Sequence, residues 1–224
     1  MFILLTVAIA PALALFSYFY LRREIGDDPS FTLFQTFVYG AIITFPILFL
    51  QYVFHEEALF TSDVFQQVVF TSTLEEFFKW FILLIAIFRH AEFNDAYDGI
   101  LYGASISLGF ATVENILYLV TFGVDTALVR ALLPVSSHAL FGVVMGYYIG
   151  RAKFSPDRKV KRYLAFAFVA PLSLHMMYNG ILLVNDMWMY LIVPFMLFLW
   201  WFGLTRVKYA HRLTMWQLSG NKKE

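Results

Sequence analysis

Apolar residues come in long runs along this chain, with polar residues gathered between them. Several runs approach or exceed the roughly 20 residues that cross a bilayer as one helix. The pattern predicts seven spans, at about 1–21, 31–54, 64–88, 99–122, 128–150, 163–184 and 188–207. The expected fold is therefore all-α: a polytopic helical membrane protein, built as one integral-membrane domain over residues 1–224. The first run, Met1 to Tyr20, has no basic residue before it, whereas Arg22 and Arg23 follow it. A signal peptide wants its positive charge first, so this run reads as an uncleaved span with its N-terminus outside. That orientation puts segments 22–30, 89–98, 151–162 and the tail from 208 inside. These segments and their edges hold Arg22, Arg23, Arg89, Arg151, Lys153, Arg158, Lys159, Lys161, Arg162, Arg206, Lys208, Arg212, Lys222 and Lys223. Of the 16 basic residues, only Lys79 and Arg130 are left over. The outside loops carry Glu56, Glu57, Asp63, Asp125 and Asp186. The bias sets the expected topology as N-out, C-in.

Composition narrows the classes. Of 224 residues, 60% are hydrophobic and 14% charged, which no soluble domain of this size needs. The formal net charge is zero, so there is no general basic footprint for nucleic acid; the expected surroundings are the lipid bilayer. With no cysteine, disulfides, thiolate catalysis and cysteine-ligated metal are excluded. The longest loop, 151–162, is basic and reads as a topology anchor against anionic headgroups. Gly142, Gly146 and Gly150 repeat every four residues, a surface for close helix approach. Pro134 and Pro171 each stand four residues before a histidine and are expected to disturb their helices.

The stretch Ser72 to Trp80 breaks the pattern, with Glu75, Glu76 and Lys79 in the middle of an apolar run. A carboxylate at the bilayer centre costs roughly 2.5–3.5 kcal/mol on insertion scales, so such residues are functional by default. The bland reading is a buried pair between Glu75 and Lys79 at i, i+4. The other ionisable groups within spans weigh against it. Glu75 lies 12 residues from Asp63, Glu114 11 from Asp125, His138 11 from Ala127 and His175 10 from Asn185. At about 1.5 Å per residue, four helices place polar groups roughly 15–18 Å below the outer surface. Accidental core-filling would not need to agree in depth. Asn179 shares a helix face with His175, Asn115 follows Glu114, and Phe110 is one turn before Glu114, where it could cover that carboxylate. A lone histidine would read as interhelical glue; two at the depth of three glutamates read as a site.

Two chemistries suit this set. A desolvated glutamate can activate water, with His and Asn donating to a tetrahedral oxyanion. The same His nitrogens and Glu oxygens can hold zinc with one position open. Both lead to hydrolysis. Acids and histidines in a row also serve proton-coupled transporters, and a non-catalytic membrane scaffold is a third reading. Several protease signatures are lacking. His55-Glu56 has no second histidine for a zinc helix. Tyr97-Asp98-Gly99 lacks an aspartyl partner. Gly103-Ala104-Ser105-Ile106 has the wrong residue after its serine. Ser136 and Ser137 cannot face His138 from i−2 and i−1.

Glu75-Glu76-Phe77-Phe78-Lys79, then Phe110-Ala111-Thr112-Val113-Glu114, then His175-Met176-Met177-Tyr178-Asn179 resemble, in that order, the motifs of the PrsW family of bacterial membrane proteases. The resemblance covers three spans, and chain length and span number fit as well. That family is similar to the wider superfamily of CAAX-prenyl and bacteriocin-processing proteases. There the basic residue of the first motif comes one position later, and a histidine stands where this chain has Glu114. The resemblance implies an intramembrane endopeptidase of the bacterial cell membrane. It would make the first (site-1) cut in a single-span anti-sigma factor under envelope stress. The expected catalytic set is Glu75, Glu76, Lys79, Glu114, His175 and Asn179, with His138 added on its depth alone. Glu75 is the water-activating base, Lys79 tunes it, His175 and Asn179 stabilise the oxyanion, and Glu114 and His138 orient water or bind metal. No cofactor is required outright. The superfamily leans towards a metal-free glutamate site, and Glu114 leans towards a divalent metal such as zinc, with Glu75, Glu114, His138 and His175 as candidate ligands.

Overall fold

The computed structural model describes residues 2–23, 29–57, 62, 64–123, 125, 127–184 and 186–220. Asp63, Asn185, Lys222 and Lys223, used above to place loops and charges, lie outside the described residues.

Among the described residues, eight α-helices follow one another: α1 Phe2–Tyr20, α2 Ser30–Glu56, α3 Thr71–Ile82, α4 Ala96–Phe122, the short α5 Ala127–Arg130, α6 Ser136–Lys153, α7 Asp157–Leu182 and α8 Trp188–Gly220. Wider π-type turns, Phe65–Phe70 and Leu83–Ile87, extend α3 at both ends, and another, Ala131–Val135, joins α5 to α6. Among the described residues, six helical rods are long and apolar enough to cross a membrane. The seventh rod is α3 with its flanking turns, which carries Glu75, Glu76 and Lys79 within five residues. No strand occurs among the described residues. The protein is a multi-pass membrane protein.

Several boundaries differ from the expected ones. The basic loop shrinks to 154–156, because α6 runs on to Lys153 and α7 starts at Asp157. The charged residues on either side continue as helix, and only Phe154-Ser155-Pro156 interrupts them. Likewise α8 extends to Gly220 instead of ending near 207. Pro134 lies in a widened turn, as a missing N–H predicts, but Pro171 sits inside an unbroken α7.

α4 and α6 are the central pair. Residues 96–112 and 135–147 are buried without interruption, so these two rods see other helices on all sides. Glycine makes that possible. A Cβ on Gly146 would collide with the carbonyl of Gly99, and one on Gly103 with that of Gly142. The expected glycine seam of α6 therefore meets a second seam on α4, backbone against backbone. α2 approaches α4 the same way, through Gly40 against Ile106 and Gly109 against Phe37. Interhelical hydrogen bonds register these contacts: Ser105 Oγ donates to Leu33 O at 2.7 Å, and Asn115 Nδ2 to Ala8 O at 2.9 Å. α3 and α7 pack along one side of the central pair, braced by Trp80 Nε1 donating to Leu164 O at 3.0 Å.

Candidate active site

α3 turns its charged face inwards. Glu75, Glu76 and Lys79 fall within five residues, so one turn of helix presents all three to α6 and α7 while Phe77 and Phe81 face outwards. Lys79 and Glu76 are completely buried, and Glu75 nearly so. α6 brings His138 to the same place, α7 brings His175, and α4 brings Glu114.

The hydrogen bonds divide this group in two. Glu76 is held: its Oε1 accepts from Lys79 Nζ at 2.9 Å and faces His175 Nδ1 at 2.9 Å. A proton on His175 Nδ1 leaves its Nε2 lone pair pointing away from Glu76. Glu75 is poised: Gln51 Nε2 on α2 donates to its Oε1 at 3.1 Å, and Oε2 makes no hydrogen bond although fully shielded. That oxygen stands 3.9 Å from each of three nitrogens, Lys79 Nζ, His138 Nε2 and His175 Nε2. His138 Nε2 also lies 3.3 Å from Glu114 Oε2, and His138 Nδ1 lies 3.2 Å from Lys79 Nζ. Glu114 is the one carboxylate of the cluster with a partly exposed side chain, 30% against 4% for Glu75.

These residues fit a metal. One donor atom each from Glu75, His138 and His175 lies within 4.8 Å of the other two. Two His and one Glu with an open fourth position is a donor set of catalytic zinc. Glu75 Oε2 and Glu76 Oε2 are both buried without a hydrogen bond, and Glu75 Oε2, 3.9 Å from both imidazole Nε2 atoms, is the one a cation between the rings would satisfy. Glu76 bound to the far nitrogen of His175 is the carboxylate–histidine arrangement that orients a metal-ligating imidazole. His138 needs one change. With Lys79 donating to Nδ1, the ring proton sits on Nε2 towards Glu114; for Nε2 to ligate, that proton must move to Nδ1 and the Lys79 bond must break, so that the ring stays neutral.

Of the seven expected residues, six converge here and Asn179 does not join them. Its amide donates to Ser72 Oγ at 3.0 Å and Gln67 O at 3.2 Å, one turn along α7 from His175. Sharing a face with His175 gave Asn179 the right direction but not the same depth. Asn115 turns away to α1, because the residue after Glu114 points about 100° around the helix. Phe110 covers Lys79 instead of Glu114, its ring centroid 4.2 Å from Nζ. The ring also meets His138 edge-on at 5.4 Å. Ser136 and Ser137 bond backbone carbonyls of their own helix, as their spacing requires. Gln51 is the participant that sequence reasoning missed. A glutamine inside the apolar run 31–54 was its one signal.

The family model described as PrsW family intramembrane metalloprotease matches residues 28–203. Protease PrsW of Bacillus subtilis is 48% identical over 218 residues, 97% of this chain and 100% of that protein. Protease PrsW of Halalkalibacterium halodurans is 48% identical over 214 residues, 95% of this chain and 99% of that protein. A more distant one, from Clostridioides difficile, is 28% identical over 92% of this chain and 90% of its own. No solved structure matches the chain.

Proposed function

The chain belongs to the PrsW family of intramembrane metalloproteases, and on that premise we propose that it makes the first cut in a single-span, membrane-bound anti-sigma factor of a bacterial cell under envelope stress. The observation that carries this reading is the ring of donor atoms from Glu75, His138 and His175 around one point inside the bundle. A divalent ion such as zinc, held by these three, supplies a Lewis acid for the scissile carbonyl and eases the ionisation of water. The other residues have separate tasks. Glu76 keeps the His175 proton on Nδ1 and fixes the ring. Lys79 balances the buried charge of Glu76. Gln51 holds Glu75 Oε1, so that Oε2 faces the two imidazoles. Glu114, the most exposed carboxylate, takes the proton from the attacking water and returns it to the leaving amine. The helices that meet at the cluster, α2, α3, α4, α6 and α7, keep bulk water from it.

Arg22, Arg23 and Arg89 follow the ends of α1 and the α3 rod, and Arg151 and Lys153 lie in the last turn of α6, at one end of the bundle. We place that end inside, with the N-terminus outside.

The test is cleavage of a single-span anti-sigma factor by the purified protein in liposomes, read by mass spectrometry, with metal content measured in parallel. Wild type is expected to give one product pair, lost on chelation and restored by zinc. Glu75→Gln is expected to lose both metal and cleavage, the latter by at least about 10²-fold. A variant that keeps its metal but not its cleavage makes Glu75 the general base. Cleavage undiminished by chelation and by Glu75→Gln sinks the reading.

A further inference from the structure

A groove of about 220 Å³ opens between the start of the α3 rod and the end of α7, lined by Gln67, Thr71, Asn179, Leu182 and Leu183. Its place relative to the cluster follows from helix registry. Thr71 is four residues before Glu75, and Asn179 is four residues after His175. The two helices run in opposite directions, so both steps lead the same way along the bundle. Residues four apart share a face about 6 Å apart. The groove is therefore the next storey above the candidate active site, on the faces of α3 and α7 that carry Glu75 and His175.

Its lining is unusual for a membrane-facing crevice. Three side chains are polar and two are leucines. By contrast, the larger crevice between α1 and α2, about 370 Å³, has a mainly apolar lining that includes Leu13, Leu33, Phe34 and Phe37, as a lipid chain would want. The backbone at the groove is also irregular. The π-type turns of Phe65–Phe70 widen the helix, and Gln67 O receives Asn179 Nδ2 at 3.2 Å. Both amide hydrogens of Asn179 go to the α3 rod, leaving its Oδ1 to accept from a ligand.

We propose that this groove admits the extended segment of the substrate polypeptide to the Glu/His cluster, its backbone bonding Gln67, Thr71 and Asn179 and its apolar side chains lying on Leu182 and Leu183. A segment about to be cut has left its helix, and inside a bilayer its freed N–H and C=O groups need partners. A lipid tail needs none. The inference rests on the protease reading above and adds the route and the recognition chemistry.

The experiment has two arms, with a single-span anti-sigma factor in liposomes as the probe. A photo-crosslinking amino acid is placed at Thr71 or Leu183 in the Glu75→Gln protein, and at lipid-facing Leu13 or Leu197 as controls. Crosslinks to the probe are expected from the first two positions and not from the controls. In the otherwise native enzyme, Thr71→Val, which keeps shape and removes the hydroxyl, is expected to raise KM about 3- to 10-fold at unchanged kcat. Gln67→Leu should act in the same direction. Equal crosslinking at the controls, or an unaltered KM in both variants with wild-type cleavage intact, overturns the groove alone. No cleavage by wild type overturns the protease reading and the groove with it.

Discussion

Two groups of buried charges, one at an end of this bundle and one nearer its middle, differ in how they are satisfied. At the start of α4, Asp98 is wholly buried, yet both its oxygens are engaged. Oδ2 accepts from the backbone of Asn94 and Asp95, and Oδ1 from Arg23 Nε at 3.2 Å. Asp95 caps the helix and takes a third hydrogen bond from Thr214 on α8. Tyr97 adds a bond from its hydroxyl to Phe19 O at 2.7 Å, with His211 stacked on its ring. This group ties α1, α4 and α8 together. On α3 the same residue types meet in an equally dry place, but Glu75 Oε2 is left without a hydrogen bond, 3.9 Å from two imidazole nitrogens. Low dielectric makes an unsatisfied buried oxygen costly. A fold that engages both oxygens of its buried aspartate in one group and leaves glutamate oxygens without hydrogen bonds in the other has a latch in the first and, in the second, the cage we propose for a ligand.

The largest expected effect breaks the cage. His175→Ala should reduce bound metal from about one per chain to background and abolish cleavage, while the protein stays folded by circular dichroism. Metal retained in full would mean that His175 is no ligand. Next is the latch. Asp98→Ala strands Arg23 in a buried position and should lower stability by about 3–5 kcal/mol, measured by unfolding in detergent. The kcat of the folded fraction should remain within about twofold of wild type, because no reacting group is touched; a collapse of kcat at full stability would erase the distinction between the two clusters. The smallest effect sharpens the picture of the cage. Gln51→Leu removes the donor to Glu75 Oε1 and lets the carboxylate rotate. A charge-assisted bond is worth roughly 1.5–3 kcal/mol, so metal affinity should fall about tenfold or somewhat more, while Gln51→Asn should recover part of it. Titration with zinc checks both variants.

Glu75, Glu114, His138 and His175 were legible as one site because counting residues along a helix gives depth at about 1.5 Å per residue. Where counting was silent, the reading went astray. Asn179 was placed on the correct face but is one turn off. Phe110 was assigned to Glu114 and sits on Lys79. Asn115 was counted as support and bonds α1. Gln51 went unmentioned, since a single amide in an apolar run says nothing about which neighbour it meets.

The helical membrane architecture and the ordered motifs that identify the family are legible in the chain alone, as is the expected depth of the charged residues. These depend on length, hydropathy and axial rise, which are properties of one helix at a time. Which side chain each glutamate oxygen meets is settled in the assembled bundle. That depends on the rotation of each helix about its axis and on how closely the backbones approach. Both are set by packing between segments far apart in the chain, above all the paired glycine seams of α4 and α6, whose carbonyls leave no room for a side chain.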